Sequence, residues 1–159
     1  MIEAPTKTME QRPMSKTWIL VAHRSGARLF ENRGPGKGME LRQNFENPAG
    51  KLKNQAVDSD KPGRHMDARN NRHGYGHDQE PTMHIAEQFA KQLSAHLDGA
   101  RKQQRFDKLV LVAEPRFLGM LRATLPATTA ALVTATLDKD LGGINTRDLP
   151  RHVETVVYV

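Results

Sequence analysis

The 159-residue chain contains no cysteine. That excludes a disulfide framework, a zinc–thiolate site and a thiol nucleophile. Aromatic residues make up only 5% and the hydrophobic set 37%. Together with a mean hydropathy of −0.66, this is low for a compact domain, and a sizeable polar insertion accounts for it. No apolar run approaches the ~18 residues of a membrane span. The polar stretch from Met1 to Pro13 lacks the apolar core of a signal peptide. These absences lead us to expect a cytoplasmic protein. Acidic residues are outnumbered, 18 against 24, leaving a formal charge of +6. An anionic partner fits that balance, although a modest basic excess also serves solubility.

The chain predicts residues 1–14 as a disordered extension, with Met14 as an alternative start. Residues 15–159 are expected to form a single α/β domain of common size. Thr17 to Ala22 is a short β-prone apolar run. After a turn at Ser25-Gly26, Ala27 to Glu31 predicts a second strand in a hairpin with the first. Gly34-Pro35-Gly36-Lys37-Gly38 reads as another turn. It lacks the Walker pattern and the strand-to-helix setting of a phosphate loop, and no cofactor is expected. Met39, Leu41 and Phe45 suggest a third strand.

From Asn47 to Glu80 the composition changes. Leu52, Val57 and Met66 are almost its only large aliphatics, so 47–80 is expected to be a long flexible polar loop. Pro81-Thr82 then predicts a helix start. Ile85, Phe89, Leu93 and Leu97 recur at four-residue steps as one apolar stripe, and Asp98-Gly99 is expected to end or loosen that helix. Asp107 to Ala113 reads as a buried strand, and Glu114-Pro115 opens a helix to Leu125. Ala130 to Thr136 reads as a further strand, and Thr146 as the cap of a last helix carrying Leu149, Val153 and Val156. The fold class expected is α/β, a mixed β-sheet flanked by helices with a long polar loop insertion.

The loop carries the unusual chemistry, ending in Arg72-His73-Gly74-Tyr75-Gly76-His77-Asp78-Gln79. Gly74 and Gly76 allow close backbone approach to a ligand. Arg69 and Arg72 can hold phosphate bidentately, with Lys61 and Arg64 adding to the same locally basic stretch. Tyr75 can stack on an unpaired base, and Gln79 can position a water or bind a base edge. A merely solvated loop is the plainer alternative. His77 with Gln79 would be the catalytic pair if the chain were a hydrolase, acting on an ester or with metal assistance. His65, Asp67, His73 and His77 are metal ligands by type, but their spacing matches no established signature, so no metal is expected. His23 reads as a turn residue, and Glu114-Pro115-Arg116 as a helix start at the end of a strand.

Several segments carry a resemblance: Trp18-Ile19-Leu20-Val21-Ala22 with Ala27-Arg28-Leu29-Phe30, the long loop, Ala113-Glu114-Pro115-Arg116-Phe117-Leu118-Gly119, and Asp138-Lys139-Asp140-Leu141. Together, over roughly Ser15 to Val157, the chain resembles the bacterial host-attachment protein family, whose members are described as required for attachment to host cells. That family is similar in turn to the central domain of archaeal and eukaryotic peptide-chain release factors, where a loop ending in Gly-Gly-Gln precedes a long helix. Gly76-His77-Asp78-Gln79 stands at the matching place, without the contiguous tripeptide. The resemblance implies a release-factor-like core and, as partner, ribosome or RNA, with no peptide-release chemistry carried over. A protein-interaction factor in host attachment is the remaining alternative.

Overall fold

The computed structural model describes residues 15–50 and 71–159, the side chains of 71–81 excepted. Three strands in succession precede a mixed run of helices and strands: β1 (Thr17–His23), β2 (Gly26–Asn32), β3 (Met39–Glu46), α1 (Asn71–Lys102), β4 (Lys108–Val112), α2 (Pro115–Thr124), α3 (Ala127–Ala130), β5 (Val133–Leu137), a 3-10 turn (Thr146–Asp148) and α4 (Leu149–Val153). They form one mixed sheet in the order β3-β2-β1-β4-β5. The β1–β2 and β2–β3 pairs are antiparallel, and β1–β4 and β4–β5 are parallel. An α/β sheet flanked by helices is therefore what the chain builds.

The central strands are apolar along their whole length because both faces are covered. Trp18, Leu20, Ala22, Leu109 and Leu111 share one buried layer with Phe89, Leu93 and Leu97 of α1 and Phe117 and Leu121 of α2. Ile19, Val21, Phe30, Val110 and Val112 share the other with Leu141, Leu149 and Val153. At the outer strands the register slips by one residue. Arg42 is the extra residue on β3 and Thr134 the extra residue on β5. Such bulges break the flat row of free backbone groups that invites edge-to-edge pairing.

Several expectations need correction. Helix α1 begins at Asn71, not Pro81, so positions 71–80 of the expected flexible loop have helical backbone. Gly74, Gly76 and Pro81 look like helix breakers, at roughly 1 kcal/mol per glycine and ~3 for proline. The backbone is nonetheless helical through them, continuous with the turns that the apolar stripe anchors. The helix also runs through Asp98-Gly99 to Lys102. Further on, the Ala/Thr-rich stretch splits into α3 and a strand that starts only at Val133. The last helix is preceded by a 3-10 turn in which Asn145, rather than Thr146, caps by accepting from the Arg147 N–H. Val156 lies beyond that helix, although it still packs on the second layer.

Helix α1 ends in a Schellman-type cap. The Gln104 N–H bonds to the Arg101 carbonyl at 2.8 Å and the Arg105 N–H to the Ala100 carbonyl at 2.9 Å. Gln104 takes the left-handed position, φ 58°, where glycine is usual. Gln104→Gly should therefore stabilise the protein by about 0.5–1 kcal/mol, since it relieves the Cβ strain at some entropic cost. Urea denaturation checks this, and a loss of stability would show that the glutamine side chain contributes more than its backbone strain costs.

Candidate functional site

The parallel strands β1, β4 and β5 all finish at one edge of the sheet, at His23, Val112 and Leu137. Beyond β1 the chain turns back into β2 on one side, whereas beyond β4 it passes through α2 to β5 on the other. Open α/β sheets bind ligands outside the carboxyl ends of the strands at such a reversal.

Helix α1 runs alongside α2 in the same direction. Phe89 stacks on Phe117 with ring centroids 6.0 Å apart, the Ser94 and Thr124 hydroxyls meet at 2.6 Å, and the Thr129 hydroxyl donates to Asp98 at 2.8 Å. That last bond, with Arg101 and Lys102 adding to it, holds the Asp98 carboxyl below the usual range. The C-terminal end of α1 is thereby tied to the opposite edge of the sheet. Its N-terminal end is directed toward the carboxyl edge. From Asn71 to the level of Phe89, where α2 begins, there is roughly 25 Å of helix at 1.5 Å per residue. The described buried positions of α1 run only from Ala86 to Ala100.

Of the residues predicted for the loop, Lys61, Arg64, His65, Asp67 and Arg69 lie outside the described residues. Arg72, His73, Gly74, Tyr75, Gly76, His77 and Gln79 fall on helical backbone in the first turns of α1. On a helix, positions 72, 75 and 79 share one face, whereas 77 and 79, two apart, do not face each other. Among the described residues no group of three or more histidine or carboxylate side chains is placed to hold a metal.

At the end of β1 the sheet brings together side chains whose meeting was not evident in the sequence. His23 is half-buried, and its Nδ1 accepts the Ser25 N–H at 3.2 Å. A neutral ring that accepts through Nδ1 carries its proton on Nε2. Burial lowers the His23 pKa first of all. Arg28 lowers it further and Asp140 opposes them, so the ring is neutral at pH 7. Arg28, on the neighbouring strand, donates to the Leu141 carbonyl at 2.9 Å, to the Gly142 carbonyl at 3.4 Å and to the Thr146 hydroxyl at 3.3 Å. Asp140 accepts the Gly142 N–H at 3.0 Å. Gly142 lies so close on the imidazole that a Cβ there would sit 2.6 Å from Cδ2. The clue in the sequence was Arg28, a cation on the same strand face as Phe30 within the otherwise apolar run 27–30. Glu114 is occupied in starting α2, where it accepts the Phe117 N–H at 2.7 Å, and Arg116 is exposed beside it.

A five-stranded mixed sheet flanked by helices defines an α/β protein. Residues 18–153 match the family described as proteins required for attachment to host cells, and the chain belongs to that family. No curated protein matches it. Among the described residues no helix is long and apolar enough to cross a membrane.

Proposed function

We propose that this member of the host-attachment family is an intracellular, non-enzymatic module that binds RNA, foremost on the ribosome, through residues 61–79. The observation that supports the reading is the helical backbone of 71–79, which continues α1 on the N-terminal side of its contact with α2. A helical extension at the end of a domain suits a partner too large to enter a pocket. The resemblance to release-factor central domains supports the same placement. In this reading Lys61, Arg64, Arg69 and Arg72 meet phosphates, Tyr75 stacks on a base and Gln79 reads a base edge. Positions 72, 75 and 79 share a helix face, which favours one continuous contact. The alternative is a hydrolase using His77 with Gln79. It is less well supported, because on a helix those two positions do not face each other. The attachment phenotype then follows indirectly, through what the cell synthesises.

Ribosome co-sedimentation and RNA binding at several salt concentrations test the reading. Each phosphate contact removed should reduce the magnitude of the slope of log affinity against log salt by about 0.7–0.9. Replacing Arg69 and Arg72 together by alanine should thus weaken binding and flatten its salt dependence. Tyr75→Ala should weaken binding with the slope unchanged, because stacking releases few counterions. If the double variant binds like the parent at every salt concentration, the segment is not the contact. Arg105 is then the cation to test next, since Arg101 and Lys102 are both engaged by Asp98 while Arg105 rests over the Trp18 ring.

A further inference from the structure

The segment from Asp138 to Thr146 is held over the end of β1 by two devices of opposite character. One is a clamp: the Arg28 guanidinium gathers the Leu141 and Gly142 carbonyls and the Thr146 hydroxyl. It is reinforced by the Asp140 side chain on the Gly142 N–H and by the Ile144 N–H on the Leu141 carbonyl at 3.0 Å. Leu141, in the middle, is 5% exposed and belongs to the apolar layer with Ile19, Val21 and Phe30. The other device is a titratable ring under the clamp. Gly142 packs on the imidazole with no room for a methyl group, and the ring keeps its place by accepting the Ser25 N–H through Nδ1.

We propose that residues 138–146 form an acid-released latch over the carboxyl edge of the sheet, with Arg28 as its clamp and His23 as its trigger. Protonated imidazole has two N–H donors and no acceptor, so a proton on Nδ1 would face the Ser25 N–H and end that bond. It would also place a second positive charge beside Arg28, in a half-buried site. The charged groups that act on the ring among the described residues are Arg28 from β2, which opposes protonation, and Asp140 from the latch, which favours it. Burial and Arg28 together outweigh Asp140. Because the ring's pKa is lowered in the closed state, the opened state takes up a proton that the closed state does not. The closed state is therefore fully favoured above about pH 6.5, and its advantage falls as pH drops from there toward the lowered value. Gly142 lies directly against the ring, so a protonated imidazole that turns to regain water displaces it, and relief comes by lifting the latch. That withdraws Leu141 from its layer and exposes the end of β1.

Amide hydrogen exchange of the whole protein, corrected for intrinsic rates, reads this directly. From pH 8 to pH 5 the protection of the Gly142 and Ile144 amides should fall severalfold, more than that of Leu111 in β4. His23→Asn retains an acceptor for Ser25 and does not titrate, so it should hold that protection level across the range. His96 is the other described imidazole kept low, by burial and then by Arg105. A fall in overall stability with acid would not separate the two, whereas His23→Asn does. Equal loss of latch protection in parent and His23→Asn, or none in the parent, would overturn the proposal. A direct NMR titration of the parent ring guards against a variant that fails to fold. It should show Nε2–H imidazole at neutral pH and a midpoint that coincides with the loss of protection, and a mismatch would equally overturn it.

Discussion

Leu111→Ala should cost about 2–5 kcal/mol, the range for deleting a buried leucine side chain whose surroundings cannot collapse. Leu111 has 0% of its surface exposed. It pairs with Leu20 on one side and Thr136 on the other, so its strand is flanked on both edges and cannot move in to fill the gap. It contributes to the layer that both long helices cover. Domains of this kind are stable by only ~5–15 kcal/mol, so the variant would lose a large share of the total. Urea denaturation of parent and variant measures it. A change within ~0.5 kcal/mol would mean that the strand is not the rigid centre of the sheet.

The strand itself was readable in the sequence because Leu109 to Ala113 is covered on both faces and so has no polar alternation. The start of α2 was readable for a different reason: Glu114-Pro115 combines a side-chain acceptor with the residue that best tolerates the first helical position. The start of α1 was not readable. Gly74, Gly76 and Pro81 each argue locally against a helix, and the favourable contribution comes from a distant stripe, Phe89 to Leu97, that anchors the later turns. The split of the stretch around Ala130 was hidden for want of contrast, since a run built mostly of alanine and threonine marks neither helix nor strand strongly. The His23 site was the least legible of all. Its parts come from β1, from β2 and from a loop whose Thr146 lies 118 residues from Arg28 along the chain. No local pattern announces that a turn histidine and a strand arginine will share one loop. Even so, the Asp138-Lys139-Asp140-Leu141 segment that carries much of the family resemblance is part of the latch over His23.

Phe89→Ala should cost about 3–5 kcal/mol, and its consequences should extend beyond stability. Phe89 is 1% exposed and stacks on Phe117, itself 1% exposed. This is the aromatic contact nearest the point where α1 passes the first turn of α2. A favourable ring pair contributes roughly 0.5–1.5 kcal/mol beyond burial. A double-mutant cycle with Phe117→Ala should therefore show the two losses to be less than additive by about that amount. Ser94 and Thr124 hold the helices together further along, so the loosening should concentrate at the N-terminal side. Amides from Ile85 to Ala90 should exchange faster in Phe89→Ala, while those near Leu97 stay closer to the parent. The helical extension depends on the orientation of this stretch. If it is the surface that meets RNA, Phe89→Ala should weaken binding without changing the salt slope, since no phosphate contact is removed. A variant that is destabilised as expected yet binds as tightly as the parent would show that the contact does not depend on how α1 is held at the carboxyl edge.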